Sequence, residues 1–150
     1  IENGYVNLGG DFAVLGPRPN GEPWMIGIRD PRNARAIIAK LEMYEGGLAT
    51  SGDYEKYVEI DGEVYCHILN PKTGMPVKHW RSVSVVAPSC LVAGSTSSLM
   101  MLMQEKAPLL AEQAGFMCLA VDSEGALHQF NNEADSASPD PALQPAAIQQ

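Results

Sequence analysis

Apolar residues along this chain occur in many short runs separated by turn-forming residues, a pattern typical of a β-rich protein. Residues 5–16 and 23–30 are apolar and favour strands, and turn-forming residues at 17–21 lie between them. This arrangement predicts a β-hairpin. Further strands are expected at 40–44 and 48–51.

A second hairpin is predicted around Asp61-Gly62, between strands at 54–60 and 63–69. Asp-Gly favours a two-residue turn because both of its residues tolerate positive φ. Residues 82–87 (SVSVVA) alternate in the manner of a half-buried strand. The central part of the chain should therefore be largely antiparallel sheet.

Helical spacing of apolar residues is found in the last third of the chain. It predicts one helix over 91–104 and a second over 108–114 that ends at Gly115. A last hairpin is expected from strands at 116–121 and 126–130. Two consecutive helices are thus placed between strands.

The predicted fold class is α+β, mostly antiparallel sheet with two consecutive helices packed on one face. The domain is expected to span 1–130. Residues 131–150 are mainly Ala, Ser, Pro, Asp and Gln, so they are expected to form a disordered tail. Because Ile1 leads directly into strand-like sequence, we also expect an upstream part of the protein.

Composition narrows the range of functions. The chain has 18 acidic and 10 basic residues, and the basic residues do not cluster, which argues against nucleic acid and anionic membranes as partners. Its apolar runs are far shorter than the roughly 20 residues that cross a bilayer. The widely spaced Cys66, Cys90 and Cys118 fit neither a disulfide framework nor a zinc site, so buried free thiols are predicted.

Three segments contain residue types that serve chemistry. Paired glycines in the GGD segment at 9–11 indicate either a tight bulge or a loop that a ligand approaches closely. Ser51 and Asp53 either cap a turn or belong to a binding loop. His67 stands near the end of a strand, before a Pro/Gly turn, where a histidine serves either catalysis or a structural hydrogen bond.

Five segments, in this order, resemble the signature of ApbE-like flavin transferases: NLGGDFAVLG, PWMIGIRDP, ATSGDYEKYVE, HILNPKTGMPV, and SVSVVAPSC followed by a helix. The resemblance covers residues 4–130 and only the C-terminal portion of the family. It implies half of a two-lobed flavin transferase fold. It also implies the family's reaction, in which FMN is attached from FAD to a threonine of an acceptor protein and AMP is released.

The same resemblance assigns roles to individual residues. His67 takes the position of the family's catalytic histidine. The residues implied for the flavin nucleotide site are Gly10, Asp11, Ser51, Gly52, Asp53, Tyr54, Asn70 and Thr73. Asn70 stands where many relatives carry an aspartate.

The helix after SVSVVAPSC departs from the family pattern. The family has an aspartate there and a threonine four residues later, which are Mg²⁺ ligands on one helix face, whereas this chain has Gly94 and Ser98. The resemblance thus implies a weakened Mg²⁺ site with Ser98 as its remaining ligand, and we expect no carboxylate of this chain to complete it. The hydroxyl residues at 95–98 equally fit a helix N-terminal turn that satisfies its own amides.

The first functional hypothesis is an enzyme of protein flavinylation, with FAD as substrate and Mg²⁺ as cofactor. The alternatives are a flavin-binding protein that has lost the metal site and an FAD pyrophosphate hydrolase that uses water as nucleophile. Expected partners are FAD, an acceptor protein with a target threonine, and either the N-terminal half of the same protein or another copy of the chain. The resemblance further implies a periplasmic location, or membrane association on the periplasmic side.

Overall fold

The computed structural model describes residues 1–131 and 148–149, which form antiparallel sheets and two consecutive α-helices. The strands are β1 (Gly4–Leu8), β2 (Asp11–Gly16), β3 (Trp24–Arg29), β4 (Ile37–Met43), β5 (Gly46–Gly52), β6 (Tyr57–Ile60), β7 (Glu63–Cys66), β8 (Trp80–Ala87), β9 (Met117–Asp122), β10 (Leu127–Phe130) and β11 (Ile148–Gln149). The helices are α1 (Cys90–Met103) and α2 (Ala107–Ala114), joined by a 3₁₀ turn at Gln104–Lys106.

The described residues are arranged in three layers. A central sheet has the strand order β1-β2-β5-β8-β9-β10, with antiparallel neighbours throughout. Both helices pack on one face of this sheet, and a second sheet of β11, β4 and β3 covers the other. The hairpin of β6 and β7 pairs only with itself. The predicted α+β fold is confirmed.

Alternation along β8 and β9 divides the core into two clusters. Val83 and Val85 point toward Met100 of α1, whereas Leu119 packs with Leu41 of the second sheet. All of these side chains are buried, and each contributes roughly 1.5–3 kcal/mol relative to an exposed position. The central strands are thus enclosed on both faces. The cluster on the helix side also includes Ala49 of β5, so its packing holds α1 over that strand.

The prediction that residues 5–16 and 23–30 pair as a hairpin is wrong. Residues 4–16 form a hairpin by themselves, in which β1 pairs with β2, while β3 pairs with β4 in the second sheet. The turn is Gly9-Gly10, with φ of 68° and 109°, a conformation that glycine adopts without steric cost. The paired glycines therefore form the turn between β1 and β2 instead of a bulge within one strand.

The remaining predicted elements are confirmed. β6 and β7 pair around Asp61-Gly62, and β9 pairs with β10. Helix α2 ends at Gly115, which has left-handed backbone geometry. The predicted disordered tail lies outside the described residues, apart from 148–149, which pair with β4.

The three cysteines are free thiols, as predicted. Cys66 and Cys118 are buried, whereas Cys90 is partly exposed at the start of α1. Burial raises the pKa of Cys118 to about 12. In the part of the chain that the structure describes, no helix has the length and apolar character needed to cross a membrane.

Asp122 contributes a pH-dependent part of the stability of the β9–β10 turn. Its carboxylate lies 2.7 Å from Nε2 of His128 and accepts hydrogen bonds from the backbone of Ala126 and Glu124. These bonds, the one with His128 above all, lower the pKa of Asp122 to about 2. Since an aspartate in an unfolded chain titrates near ~3.9, this stabilisation is present above about pH 4 and is lost as the pH falls toward about 2.

We therefore expect Asp122→Asn to lower the free energy of unfolding at about pH 6 and to have a much smaller effect at about pH 2.5. Urea unfolding of both proteins at the two pH values measures the difference. Asp61→Asn, at an exposed turn position with φ of 53°, serves as the control because asparagine suits that conformation. A loss of equal size at both pH values in Asp122→Asn would contradict the assignment.

Candidate functional site

A cavity of about 590 Å³ lies between β5 and the N-terminal half of α1, and we call it the α1 cavity. Its lining residues are Asp11, Ala49, Thr50, Ser51, Cys90, Leu91, Gly94, Ser95, Ser97 and Ser98. Three of the predicted site residues, Asp11, Ser51 and Ser98, thus share one cavity with Gly94. Most of the polar groups in its wall are uncharged hydroxyls.

Small residues allow α1 to approach β5 closely. A Cβ atom added to Gly47 would lie 2.1 Å from the backbone nitrogen of Cys90, so only glycine fits beneath the start of the helix. Farther along, a Cβ atom at Gly94 would lie 3.7 Å from Cβ of Ala49, an ordinary contact distance. The helix start is therefore tightly fitted, whereas position 94 has room for a side chain.

Three serine hydroxyls connect β5 to α1 across one wall of the α1 cavity. Oγ of Ser51 lies 2.8 Å from Oγ of Ser97 and 3.1 Å from Oγ of Ser98. Ser97, which is 0% exposed, donates its own hydrogen to the carbonyl oxygen of Gly94 at 3.0 Å. Sequence reasoning did not single out Ser97, although a serine three residues after Gly94 in a helix can bond back to that carbonyl.

The donor set of the α1 cavity bears on the predicted magnesium site. In residues 1–131 and 148–149, no three His, Cys, Asp or Glu side chains form a group that could hold a metal ion. Although no carboxylate of this chain was expected at the magnesium site, Asp11 lines the cavity and brings one there. Mg²⁺ in nucleotide sites is commonly held by one or two carboxylates together with substrate phosphates. Asp11, Ser51 and Ser98 therefore fit an ion that is shared with a bound nucleotide, and do not fit one held by protein groups alone.

Restoring a carboxylate on α1 should tighten metal binding. We expect Gly94→Asp to raise the affinity for Mg²⁺ in the presence of FAD by about 10–100-fold, which corresponds to roughly 1–3 kcal/mol for a charge-assisted contact. A Cβ atom at position 94 fits beside Ala49, and the position lines the α1 cavity. Calorimetric titration of Mg²⁺ into the full-length protein with FAD measures the change.

Gly94→Asn is the matched control, because asparagine has the shape of aspartate without its charge. It should produce much less than the gain of the aspartate variant. Equal affinities in the two variants would contradict an electrostatic origin, and an unchanged affinity in Gly94→Asp would place position 94 away from the ion.

A second cavity of about 170 Å³ lies between the central sheet and β3, and we call it the inter-sheet cavity. Among the predicted site residues it is lined by Gly10 and Tyr54, together with Arg29 and Glu55. Burial, above all, raises the pKa of Tyr54, so its hydroxyl is protonated at neutral pH and can donate a hydrogen bond. Thr50 of β5 lines both cavities, which are therefore adjacent.

Gly52 and Asp53, between Ser51 and Tyr54, line neither cavity. A Cβ atom on Gly52 would lie 2.4 Å from the Tyr54 ring, so glycine makes room for that ring. The carboxylate of Asp53, with 15% of its side chain exposed, accepts two hydrogen bonds from Arg32, at 2.7 and 2.9 Å. Nη1 of Arg81 lies 3.6 Å from Oδ2 of the same carboxylate. Asp53 thus ties the loop after β3 to the central sheet.

His67 is exposed and follows β7 directly. Its Nδ1 lies 3.0 Å from the carbonyl oxygen of Lys56. A carbonyl only accepts hydrogen bonds, so Nδ1 carries the hydrogen in the neutral ring and Nε2 keeps a lone pair that can accept a proton. His67 is not among the residues that line either cavity; it is anchored by its neighbour Cys66, which is buried against the carbonyl of Val77.

Asn70 and Thr73 shape the turn that follows His67. Oδ1 of Asn70 accepts a hydrogen bond from the backbone of Lys72 at 2.9 Å, and Oγ1 of Thr73 accepts one from Met75 at 3.2 Å. These are local side-chain-to-backbone bonds of the kind that Asn and Thr form in turns. Neither residue lines the α1 cavity or the inter-sheet cavity.

Comparison with known proteins places this arrangement in a family. The family model described as "ApbE family" matches residues 1–120. The chain is 35% identical over 128 residues to an FAD:protein FMN transferase of Klebsiella pneumoniae and 34% identical over 128 residues to one of Escherichia coli K12. Each match covers 83% of this chain, which spans 37% and 36% of the two relatives.

Solved structures agree with the sequence relatives. The crystal structure of the ApbE protein of Thermotoga maritima matches 85% of this chain with a TM-score of 0.79 and 36% identity, and the chain covers 42% of that protein. Flavinyl transferase ApbE of Pseudomonas stutzeri, in its apo form, matches 84% of the chain with a TM-score of 0.69 and 35% identity, and 40% of it is covered. The family match, the shared fold and the ordered motifs together show that the chain belongs to the ApbE family.

Proposed function

We propose that this chain is part of an FAD:protein FMN transferase, which moves FMN from FAD to a threonine of an acceptor protein and releases AMP. The observation that carries the proposal is the pair of adjacent cavities that share Thr50, one rich in hydroxyl oxygens and the other lined by Tyr54 and Arg29. A dinucleotide with a charged pyrophosphate between two ring systems suits such a pair. The curated relatives named FAD:protein FMN transferase support the same reaction.

In the proposed reaction, His67 acts as the general base. Its Nε2, free when Nδ1 is bonded to the Lys56 carbonyl, accepts the proton of the threonine hydroxyl. The threonine oxygen then forms a bond to the FMN phosphorus, and the phosphorus–oxygen bond to AMP breaks. Because His67 is exposed beside the β6–β7 hairpin, an acceptor polypeptide can reach it from solvent.

Asp11, Ser51 and Ser98 are the residues that we assign to hold Mg²⁺ together with the FAD pyrophosphate. When bound, the ion supplies positive charge that stabilises the charge developing on the phosphoryl oxygens. This chain's own contribution is to orient those oxygen ligands and, through Tyr54 and Arg29, to position the nucleotide. The glycine at position 94 favours one alternative, a relative that binds flavin without transferring it, because it removes a charged ligand.

The partners in this proposal are FAD, the acceptor protein, and further protein that covers exposed apolar surface. Tyr57, Val58, Ile60 and Val64 are all exposed on the β6–β7 hairpin, and apolar patches of this kind commonly mark protein contacts. We assign this contact to the N-terminal half of the same protein or to another copy of the chain. A periplasmic location is part of the same proposal.

Incubation of the full-length protein with FAD, Mg²⁺ and an acceptor protein tests the proposal. A transferase yields AMP and an acceptor whose mass increases by that of one FMN less one water, and a threonine-to-valine acceptor remains unmodified. Free FMN with AMP would instead identify the pyrophosphate hydrolase, and bound but intact FAD the flavin-binding protein. Either of these two outcomes overturns the transferase assignment.

A further inference from the structure

The three serine hydroxyls of the α1 cavity form a series of hydrogen bonds in which each donor and acceptor is determined. A hydroxyl has one hydrogen to donate, and Ser97 gives its hydrogen to the Gly94 carbonyl, which can only accept. In the 2.8 Å contact with Ser51, Ser97 must therefore be the acceptor and Ser51 the donor. Ser51 in turn must accept the hydrogen of Ser98 at 3.1 Å.

The direction of these hydrogen bonds decides whether Ser98 offers a hydrogen or a lone pair to a ligand in the cavity. The hydrogen of Ser98 points at Ser51, so the remaining lone pairs of the exposed Ser98 oxygen are left for the cavity. Lone pairs attract cations and repel anionic oxygen. Ser97 determines the direction of the other two bonds, because it is fully buried and donates its only hydrogen to the Gly94 carbonyl.

We propose that Ser97 is a positioning residue for the cation at the α1 cavity: acting through Ser51, it keeps the Ser98 hydrogen turned away from the ion. The inference rests on the proposed function, since the ion is the one shared with the FAD pyrophosphate. It predicts that a residue with no exposed surface of its own controls the affinity for the ion. A side chain that is hydrogen-bonded to a metal ligand, as Ser97 is to Ser51, typically changes the metal affinity by about 10–100-fold.

Binding of Mn²⁺ to the full-length protein with FAD, followed by electron paramagnetic resonance, measures the effect separately from activity. We expect Ser97→Ala to raise the Kd for Mn²⁺ by about tenfold, and Ser51→Ala, which also removes an assigned ligand, to raise it by at least as much. Ser97→Thr should bind within about twofold of wild type, because a helical threonine can make the same bond to the carbonyl three residues earlier. The matched control is Ser84→Ala, which removes another buried hydroxyl that is hydrogen-bonded to a neighbouring side chain, Thr50 at 2.8 Å, but lines neither cavity; it should leave the Kd unchanged.

A double-mutant cycle tests whether Ser97 acts through Ser98. If it does, Ser97→Ala combined with Ser98→Ala should weaken Mn²⁺ binding no more than Ser98→Ala alone. Fully additive losses, an unchanged Kd in Ser97→Ala, or an equal loss in the Ser84 control would each overturn the inference, as would a wild-type complex that binds no Mn²⁺. The proposed function stands or fails separately, on whether the wild-type protein transfers FMN to its acceptor.

Discussion

Replacing His67 with alanine is expected to lower the rate of FMN transfer by about 10²–10⁴-fold, the usual contribution of a general base. The neutral ring bonds through Nδ1 to the Lys56 carbonyl and leaves the lone pair of Nε2 to accept a proton, as the proposed general base requires. The affinity for FAD should change by no more than about twofold, because His67 does not line either cavity. Single-turnover flavinylation measures the transfer rate, and quenching of FAD fluorescence measures binding.

Two further variants separate a base from a structural role for His67. His67→Asn keeps an N–H group that can reach the Lys56 carbonyl but offers no base, so it should be as inactive as the alanine variant. His128→Gln removes a histidine that is paired with Asp122 in the β9–β10 turn, and it should retain transfer. Substantial activity in His67→Asn would show that the histidine only supports the local fold.

The largest expected loss of stability follows from Gly47→Ala. The added methyl group would lie 2.1 Å from the Cys90 nitrogen and 2.3 Å from the Ser89 carbonyl carbon, both backbone atoms at the start of α1. Neither can move unless the helix moves off β5, so we expect a destabilisation on the order of 3 kcal/mol, at the upper end for overpacking. Urea unfolding of the full-length protein, followed by circular dichroism, measures it.

Gly94→Ala provides the matched control for Gly47→Ala. It adds the same methyl group to the same helix–strand interface, but its nearest contact is Cβ of Ala49 at 3.7 Å. Alanine also favours a helix over glycine by about 1 kcal/mol. The control should therefore be at least as stable as wild type, and equal losses in the two variants would contradict the assignment of close approach to Gly47.

Local patterns predicted most of the elements but not how the first strands pair. The Asp61-Gly62 turn and the helical spacing after Pro88 are set by adjacent residues, and both predictions are confirmed. The assignment of β3 failed because Pro17 to Gly21 permit a turn without requiring β2 to pair with β3. The pairing was decided by the short Gly9-Gly10 turn and by burial of β3 and β4 against the central sheet.

In the candidate site, too, features set by local sequence could be predicted and contacts between residues distant in sequence could not. Ser51, Ser98 and Gly94 line one cavity, and the helical positions of Ser98 and Gly94 follow from local sequence, whereas the binding roles of these residues remain predictions. The ion pairs of Asp53 with Arg32 and Arg81 could not be predicted, since their partners are distant in sequence. Ser97 was missed for a related reason, because its importance depends on a strand 46 residues away.

The Asp53–Arg32 pair has a consequence for the walls of the inter-sheet cavity. Arg32 belongs to the loop that follows β3, and Asp53 follows β5, so the pair joins the two walls between which that cavity lies. Separation of the walls would break two charge-assisted hydrogen bonds at once. The spacing of the two walls is therefore held by the protein's own side chains, without any contribution from a ligand.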